Sequence, residues 1–130
     1  MADSPTPVQM AAITRITDVS GKAPDPSHPK PERLVRGNPL RQTWNALDAP
    51  LSGAQTLSTG VWTCEPGMWR IAFGPTEQEV FTVLAGRCKL HDALGNATEA
   101  GPGQALHIPA GFNGAFEVLE TMTKTYVIVE

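Results

Sequence analysis

A carboxylate, an amine and a phenol are the groups in this sequence whose types and spacing could support chemistry. Glu79 leads into the apolar run 80–84, and Lys124 and Tyr126 lie two residues apart in the apolar segment 122–129. Side chains two apart on a strand point to the same face of a sheet. Such a set can hold a polar metabolite, or Glu79 can act as a general base while Lys124 and Tyr126 steer charge.

Strand alternation, together with the motif positions described below, places further side chains beside these three groups. The candidate ligand-binding residues are Arg70, Glu77, Phe81, His107 and Phe116. Simpler roles stay open for the polar ones: Arg70 can cover apolar surface with its stem, Glu77 can be solvated, and His107 can be satisfied by a neighbour. A buried ion pair between Glu79 and Lys124, without any ligand, is a further alternative.

These groups need short, regularly spaced strands to position them. Apolar and β-branched segments recur about every eight to twelve residues with Gly and Pro turns between them, which is the pattern of a sandwich or closed barrel. No stretch has a sustained helical period, and the 12 Gly and 12 Pro residues also favour an all-β protein. Strands are predicted at residues 42–46, 56–64, 68–73, 77–86, 87–91, 105–108, 115–119 and 122–129.

The composition indicates one ordinary globular domain. Of the 130 residues, 41% are hydrophobic and 18% are charged, which suffices for a single core. The net charge of −3 argues against nucleic-acid and anionic-membrane partners, and no apolar run approaches the roughly 18 residues of a membrane span. Without a signal-peptide pattern, a cytoplasmic location is expected. Cys64 and Cys88 are expected to be reduced core thiols, with a disulfide as the alternative.

The first thirty residues differ in amino-acid composition from the rest of the chain. Residues 1–31 hold six of the 12 prolines, so an extended N-terminal arm is predicted at 1–30 and a folded domain at 31–130. Within the arm, residues 8–19 could form a strand that pairs with another subunit, or a mobile tail. An open barrel edge, together with this apolar segment, predicts a homodimer.

Two motifs resemble those of one protein superfamily. Glu79 precedes Gly86 by seven residues, and Gly103 precedes Pro109 by six, with Gly111 following. These spacings resemble the two signature motifs of the cupins, and a longer series of motifs resembles the small cupin branch of ureidoglycine-aminohydrolase-like and ethanolamine-utilisation-type proteins. The series is Trp62, Pro66-Gly67-x-Trp69, Glu77-x-Glu79, Pro109-Ala110-Gly111-Phe112 and Lys124-x-Tyr126. The resemblance implies an all-β double-stranded β-helix, the RmlC-like cupin jelly-roll barrel.

The same resemblance implies where metal ligands would stand, and histidines are absent from those positions. Metal-binding cupins carry two His before the Glu and one His in the second motif. The corresponding positions here are Ala72, Gly74 and Gly114. Because transition-metal sites usually need three or more protein ligands, no tightly bound metal and no cofactor are predicted. A rearranged site of Glu77, Glu79 and His107 stays open as the alternative.

The leading functional hypothesis is a cupin-domain protein that binds a small polar metabolite in its barrel. The ligand would be carboxylated, sugar-like or ureide-like, held by Glu79 and by Lys124 or Arg70. One alternative is an aminohydrolase- or isomerase-type enzyme with Glu79 as general base, and another is a structural or regulatory dimer with an idle pocket. Glu79 and Lys124 are expected to contact each other inside the barrel, since a lone buried charge is costly.

Overall fold

β-Strands make up most of the chain. The computed structural model describes residues 11–130, and within them nine strands and one short 3-10 helix follow one another. In chain order these are β1 (Asp25–Ser27), the 3-10 helix (Pro31–Arg33), β2 (Leu34–Arg36), β3 (Arg41–Pro50), β4 (Thr56–Cys64), β5 (Gly67–Ala72), β6 (Gln78–Asp92), β7 (Ala97–Ala100), β8 (Ala105–Ile108) and β9 (Asn113–Val129). No helix in this described part is long and apolar enough to cross a membrane.

Two long strands form the centre of the fold. β6 and β9 pair antiparallel from Gln78 opposite Val129 to Asp92 opposite Gly114. The first half of β9 also pairs with β5 and its second half with β4, while β6 pairs with β7 and β8. The sheet continues from β4 through β3 to β1, and from β5 to β2. The curled sheet is consistent with the predicted jelly-roll β-barrel.

All eight predicted strands are present, but β1, β2 and β7 were not predicted, and β3 extends beyond the predicted 42–46 to Pro50. Residues 56–64 and 105–108 are strands at the predicted bounds, whereas β6 and β9 each join two predicted segments into one. At the predicted break the register between β6 and β9 shifts on both sides of Ala85. Gly86 has φ +79°, and a Cβ there would overlap the carbonyl oxygen of Thr121. Glycine therefore lets β6 bulge at this point and continue.

The barrel interior carries the hydrophobic core. Phe81 on β6 and Val118 and Met122 on β9 point inward and are almost completely buried. Cys64 and Cys88 are separate buried thiols, as predicted. Burial raises the pKa of Cys64 to about 12 and that of Cys88 to about 11. Since the thiolate is the nucleophilic form, both cysteines act as core residues.

The N-terminal segment contributes a strand to the barrel of its own chain. β1 pairs with β3, with Ser27 opposite Arg41, and the following Pro29 is buried. No strand lies within residues 11–19, which include most of the segment 8–19 considered for pairing with another subunit; the remainder of that segment lies outside the described residues. The division into arm and domain and the homodimer stay predictions.

Candidate functional site

The barrel contains a cavity of about 370 Å³, which is in the size range of small-molecule sites. Its opening is marked by the exposed residues Ser27, Asn45 and Glu130. The aromatic residues in its wall are Trp62, Trp69, Phe73, Phe116 and Tyr126. Its charged lining groups are Arg41, Glu79, Lys124 and Glu130.

Glu79 and Lys124 form an ion pair in the buried part of the cavity. Lys124 Nζ donates to Glu79 Oε2 at 2.8 Å, and the two residues are only 5% and 6% exposed, respectively. The central strands position the pair, because Glu79 on β6 and Lys124 on the adjacent β9 both face inward. The contact predicted from the sequence is therefore present. At this low exposure each charge depends on the other, since either one alone would lack both water and a partner.

Three aromatic rings surround the Lys124 ammonium group. Its Nζ lies 4.3 Å from the ring centroid of Trp62, 4.5 Å from that of Phe81 and 4.8 Å from that of Phe116. These distances are within the range of cation–π contacts. Trp69 stacks on Phe116, with ring centroids 5.2 Å apart. Both phenylalanines point into the barrel as predicted, although Phe116 lines the cavity and Phe81 is buried in the core.

Tyr126 supplies an uncharged hydroxyl group to the cavity. Its Oη donates to Asn45 Oδ1 at 2.7 Å. Burial, with smaller contributions from the carboxylates of Asp48 and Glu79, raises the pKa of Tyr126 to about 12. Because the phenol stays protonated at neutral pH, it can accept a hydrogen bond from a ligand while it donates to Asn45.

The ionisation of Tyr126 can be followed directly, because it is the only tyrosine in the sequence. At about pH 11 we expect the phenol to be largely protonated in the folded protein and largely ionised in denaturant, where the ordinary pKa of about 10 applies. A raised folded-state pKa means that the folded state favours the protonated phenol. The resulting contribution to stability is complete below about pH 10 and is lost as the pH rises through about 12. Ultraviolet absorbance of tyrosinate, with and without denaturant, measures the difference. Equal midpoints would contradict the described burial.

Arg41, at the start of β3, is a cation in the cavity wall that the sequence prediction missed. Its Nε donates to Ser27 Oγ at 3.2 Å, and its Nη2 donates to the carbonyl oxygen of His28 at 3.1 Å. The guanidinium carbon lies 5.4 Å from the ring centroid of Trp69, and burial lowers the pKa of Arg41. In the described part of the chain, no carboxylate forms an ion pair with it. The one feature of the sequence that could have indicated Arg41 as a site residue is its position directly before the predicted strand 42–46.

Besides Phe81, three predicted site residues do not line the cavity. Arg70 is exposed on the outer face of β5, where its Nη2 donates to a backbone carbonyl oxygen at 2.9 Å. Glu77 lies in the turn before β6, and its Oε1 accepts from the backbone N–H of Gly74 at 3.2 Å. His107 is exposed, with its Nε2 2.9 Å from Gln78 Oε1. The prediction that these side chains share the barrel interior with Glu79 is wrong.

These errors have a physical cause in the backbone. Arg70 shares a strand face with Ala72 and Gly74, the expected ligand positions, but the residues of β5 and the following turn that line the cavity are Trp69, Ile71 and Phe73. For His107 the register decides the face. It lies opposite Val80, which is 47% exposed, and directly opposed residues share one face of a sheet.

A model of the EutQ-like cupin domain matches residues 51–126 of the chain. The chain belongs to the EutQ-like cupin family. The matched region runs from just before β4 to Tyr126 on β9, so it includes Glu79 and Lys124, whereas Arg41 lies outside it. No curated protein matches the chain with significant similarity.

Solved structures share the cupin fold with this chain at low sequence identity. A protein of unknown function of the DUF861 family from Pseudomonas syringae pv. tomato is 20% identical with a TM-score of 0.68, covering 81% of this chain and 43% of that protein. The EutQ protein of Clostridium difficile is 19% identical with a TM-score of 0.58, covering 69% and 62%. The ectoine synthase of P. lautus is 11% identical with a TM-score of 0.54, covering 68% and 62%. The chain thus spans less than two thirds of each of these relatives, and the likeness shows the fold alone.

The cupin barrel of this chain does not present a metal-binding set of side chains. The residues of β5 and the following turn that line the cavity are Trp69, Ile71 and Phe73, so the expectation that Ala72 and Gly74 face the interior is wrong. At Gly114 a Cβ would overlap the carbonyl oxygen of His91, because this residue lies against the paired strand. None of the three positions can therefore aim a ligand at Glu79.

The alternative metal site is not assembled either. Glu77, Glu79 and His107 lie in different surroundings, and within residues 11–130 no group of three or more His, Cys, Asp and Glu side chains could hold a metal ion. The cation bound to Glu79 is the ammonium group of Lys124. The donor set therefore does not fit a transition metal, and the lack of a tightly bound metal stays a prediction for metal analysis.

Proposed function

We propose that the barrel binds a small polar metabolite that carries an anionic group. The observation that supports this most strongly is the presence of Arg41, which has no ion-pair partner in the described part of the chain, in the same cavity as the Glu79–Lys124 pair. An anionic group on the ligand would form an ion pair with Arg41, because charge-assisted hydrogen bonds from a guanidinium group are strong and directional. In this proposal Arg41, rather than the sequence-predicted Arg70, is the arginine that holds the ligand.

The inner end of the cavity suits the polar remainder of such a ligand. Lys124 uses one of its three N–H donors on Glu79 Oε2, so it can donate further, and Glu79 Oε1 can accept. Tyr126 adds a hydroxyl acceptor. Trp62 and Phe116 form an apolar wall on which the flat part of a ligand can pack. Carboxylated, sugar-like and ureide-like molecules all offer matching donors and acceptors.

A panel of hydroxy acids, sugar acids and ureido acids tests the proposal, each compared with its uncharged amide or alcohol. We expect at least one acid to raise the melting temperature more than its uncharged counterpart; at 100 times its dissociation constant a ligand adds about 2.7 kcal/mol of stability. Arg41→Gln should remove the preference for the acid. Arg36→Gln, which removes an exposed guanidinium paired with Glu117, is the matched control. No stabilisation by any acid, or equal stabilisation in Arg41→Gln, would contradict the proposal.

An aminohydrolase- or isomerase-type reaction is the second candidate, and the position of Glu79 favours it. Only one of its carboxylate oxygens is bonded to Lys124, so the other can receive a proton from a substrate in the cavity. Turnover of a bound compound that is lost in Glu79→Gln would identify an enzyme. Binding without turnover would identify a binding protein.

A further inference from the structure

A second, smaller depression of about 250 Å³ lies beside the barrel cavity, and its charged residues are mostly basic. It is formed by the segment around the 3-10 helix and by β5 with the turn that follows, and we call it the basic groove. Its cations are Lys30, Arg33, Arg41 and Arg70, and the single carboxylate among its lining residues is Glu77. Four cations face one carboxylate, in a chain whose overall net charge is −3.

None of the four cations is neutralised by an ion pair within residues 11–130. The ion pairs found there involve Arg36, Arg87, Lys89, His91 and Lys124. The carboxylate of Glu77 is instead bonded to the backbone N–H of Gly74. The groove therefore keeps a net positive charge, since its four cations outnumber its one carboxylate.

Backbone contacts hold the guanidinium groups in place without neutralising them. Arg70 Nη2 donates to the carbonyl oxygen of Glu32 at 2.9 Å, and Arg41 Nη2 donates to that of His28 at 3.1 Å. Arg33 Nη1 lies 3.5 Å from the carbonyl oxygen of Arg70. A guanidinium group has five N–H donors, so each arginine keeps most of its donors for an external acceptor. Such ordered guanidinium groups lose less freedom when a ligand binds.

The basic groove and the barrel cavity share part of their walls. Arg41, Trp69, Ile71 and Phe73 line both spaces. Arg41 thus stands at the border, with the Glu79–Lys124 pair on one side and the other three cations on the other. An elongated ligand that spans the two spaces would pass this residue.

We infer that the basic groove binds the phosphate group of a phosphorylated small molecule whose polar remainder enters the barrel. This inference rests on the proposed function and adds the ligand's chemical class. A phosphate monoester carries a charge of about −1.5 to −2 and three strong acceptor oxygens, which match several cations. A carboxylate has one charge and two oxygens, and Arg41 alone would satisfy it. Arginine forks bind phosphate oxygens in pairs, which explains the arginine-rich lining.

Titration with inorganic phosphate, followed by calorimetry or by phosphorus NMR, tests the groove directly. We expect saturable binding that weakens about tenfold in Arg70→Gln and in Arg33→Gln, as each variant removes one charge-assisted contact. Arg70 is exposed and Arg33 is half-buried outside the core, so we expect their replacement to leave the barrel core intact, and melting temperatures verify this. Arg36→Gln removes the same charge from the neighbouring β2 outside the groove, and we expect less than a twofold change.

Three results would overturn the inference. One is the absence of saturable phosphate binding, the second is equal weakening in Arg36→Gln, and the third is unchanged affinity in both groove variants. The barrel proposal can be judged separately, because the uncharged and carboxylated panel molecules are tested against Arg41→Gln. If those acids bind and phosphate does not, only the phosphate assignment fails. If phosphate binds and no panel molecule does, the groove is a phosphate site, but the entry of the ligand's remainder into the barrel fails with the barrel proposal.

Discussion

Replacing Lys124 with methionine should lower the free energy of unfolding by about 3–5 kcal/mol. Methionine keeps much of the side-chain volume but removes the ammonium group, and Glu79 would be left as a buried carboxylate without its 2.8 Å partner. The three surrounding rings would lose their cation at the same time. Denaturant unfolding of the variant and the parent protein measures the loss.

A double-mutant cycle shows whether this loss comes from the pair. Glu79→Gln combined with Lys124→Met leaves no isolated charge, so it should cost less than the two single changes added together. Coupling above about 0.5 kcal/mol would establish the interaction. Effects that add within that limit would contradict the buried ion pair, and the polar centre of the cavity would have to be sought elsewhere.

Replacing Phe116 with alanine should cost about 3–5 kcal/mol of stability. Its ring is buried and packs on three other rings, with centroids 5.2 Å from Trp69, 5.6 Å from Trp62 and 5.7 Å from Phe81. Removing it would open a space at the centre of the cavity wall and would take away one of the rings near Lys124. Phe116→Leu, which keeps most of the volume, should cost clearly less.

Val127→Ala is the control for this substitution. Val127 lies on the same strand but is 37% exposed, so its truncation should change stability by roughly 0.5 kcal/mol or less. Thermal or denaturant unfolding of the three variants gives the comparison. A loss for Phe116→Ala no larger than that for Val127→Ala would show that the aromatic cluster does not support the barrel.

The fold was predictable because its signals are local. Short apolar segments separated by Gly and Pro turns predict the strands, and the motifs around Glu79 and Pro109 predict the barrel type. What escaped prediction depends on partners distant in sequence. Whether Gly86 ends a strand or bends it depends on the carbonyl oxygen of Thr121, which lies on the opposite strand. Likewise, residues 25–27 form the strand β1 because they pair with the edge of β3.

The site was predictable only where alternation runs along one unbroken strand. Lys124, Tyr126 and Phe116 lie on β9, and all face the barrel as expected. The prediction for Arg70 failed because the interior face of β5 was taken from the expected ligand positions Ala72 and Gly74, whereas Ile71 and Phe73 line the cavity. That for His107 failed because the register of β8 cannot be obtained from its sequence. Side chains on separately connected strands meet only through tertiary pairing.

Arg41 shows a further limit of sequence reasoning. It belongs to no motif, and its importance comes from contacts with Ser27 and His28 at the end of β1 and with Trp69 on β5. Its lack of a carboxylate partner in the described residues is visible only once every neighbour is placed. The same is true of Arg70, whose outward position removes it from the barrel and adds it to the basic groove.

A high-resolution crystal structure with the best-stabilising acid of the panel is the most direct test of the proposed ligand site. We expect density for its anionic group within hydrogen-bond distance of the Arg41 guanidinium, with polar atoms of the ligand beside Glu79 and Lys124. The contradicting result would be a cavity that holds only water at saturating acid. A metal ion bound to Glu79, with Lys124 turned away from it, would contradict the proposal equally.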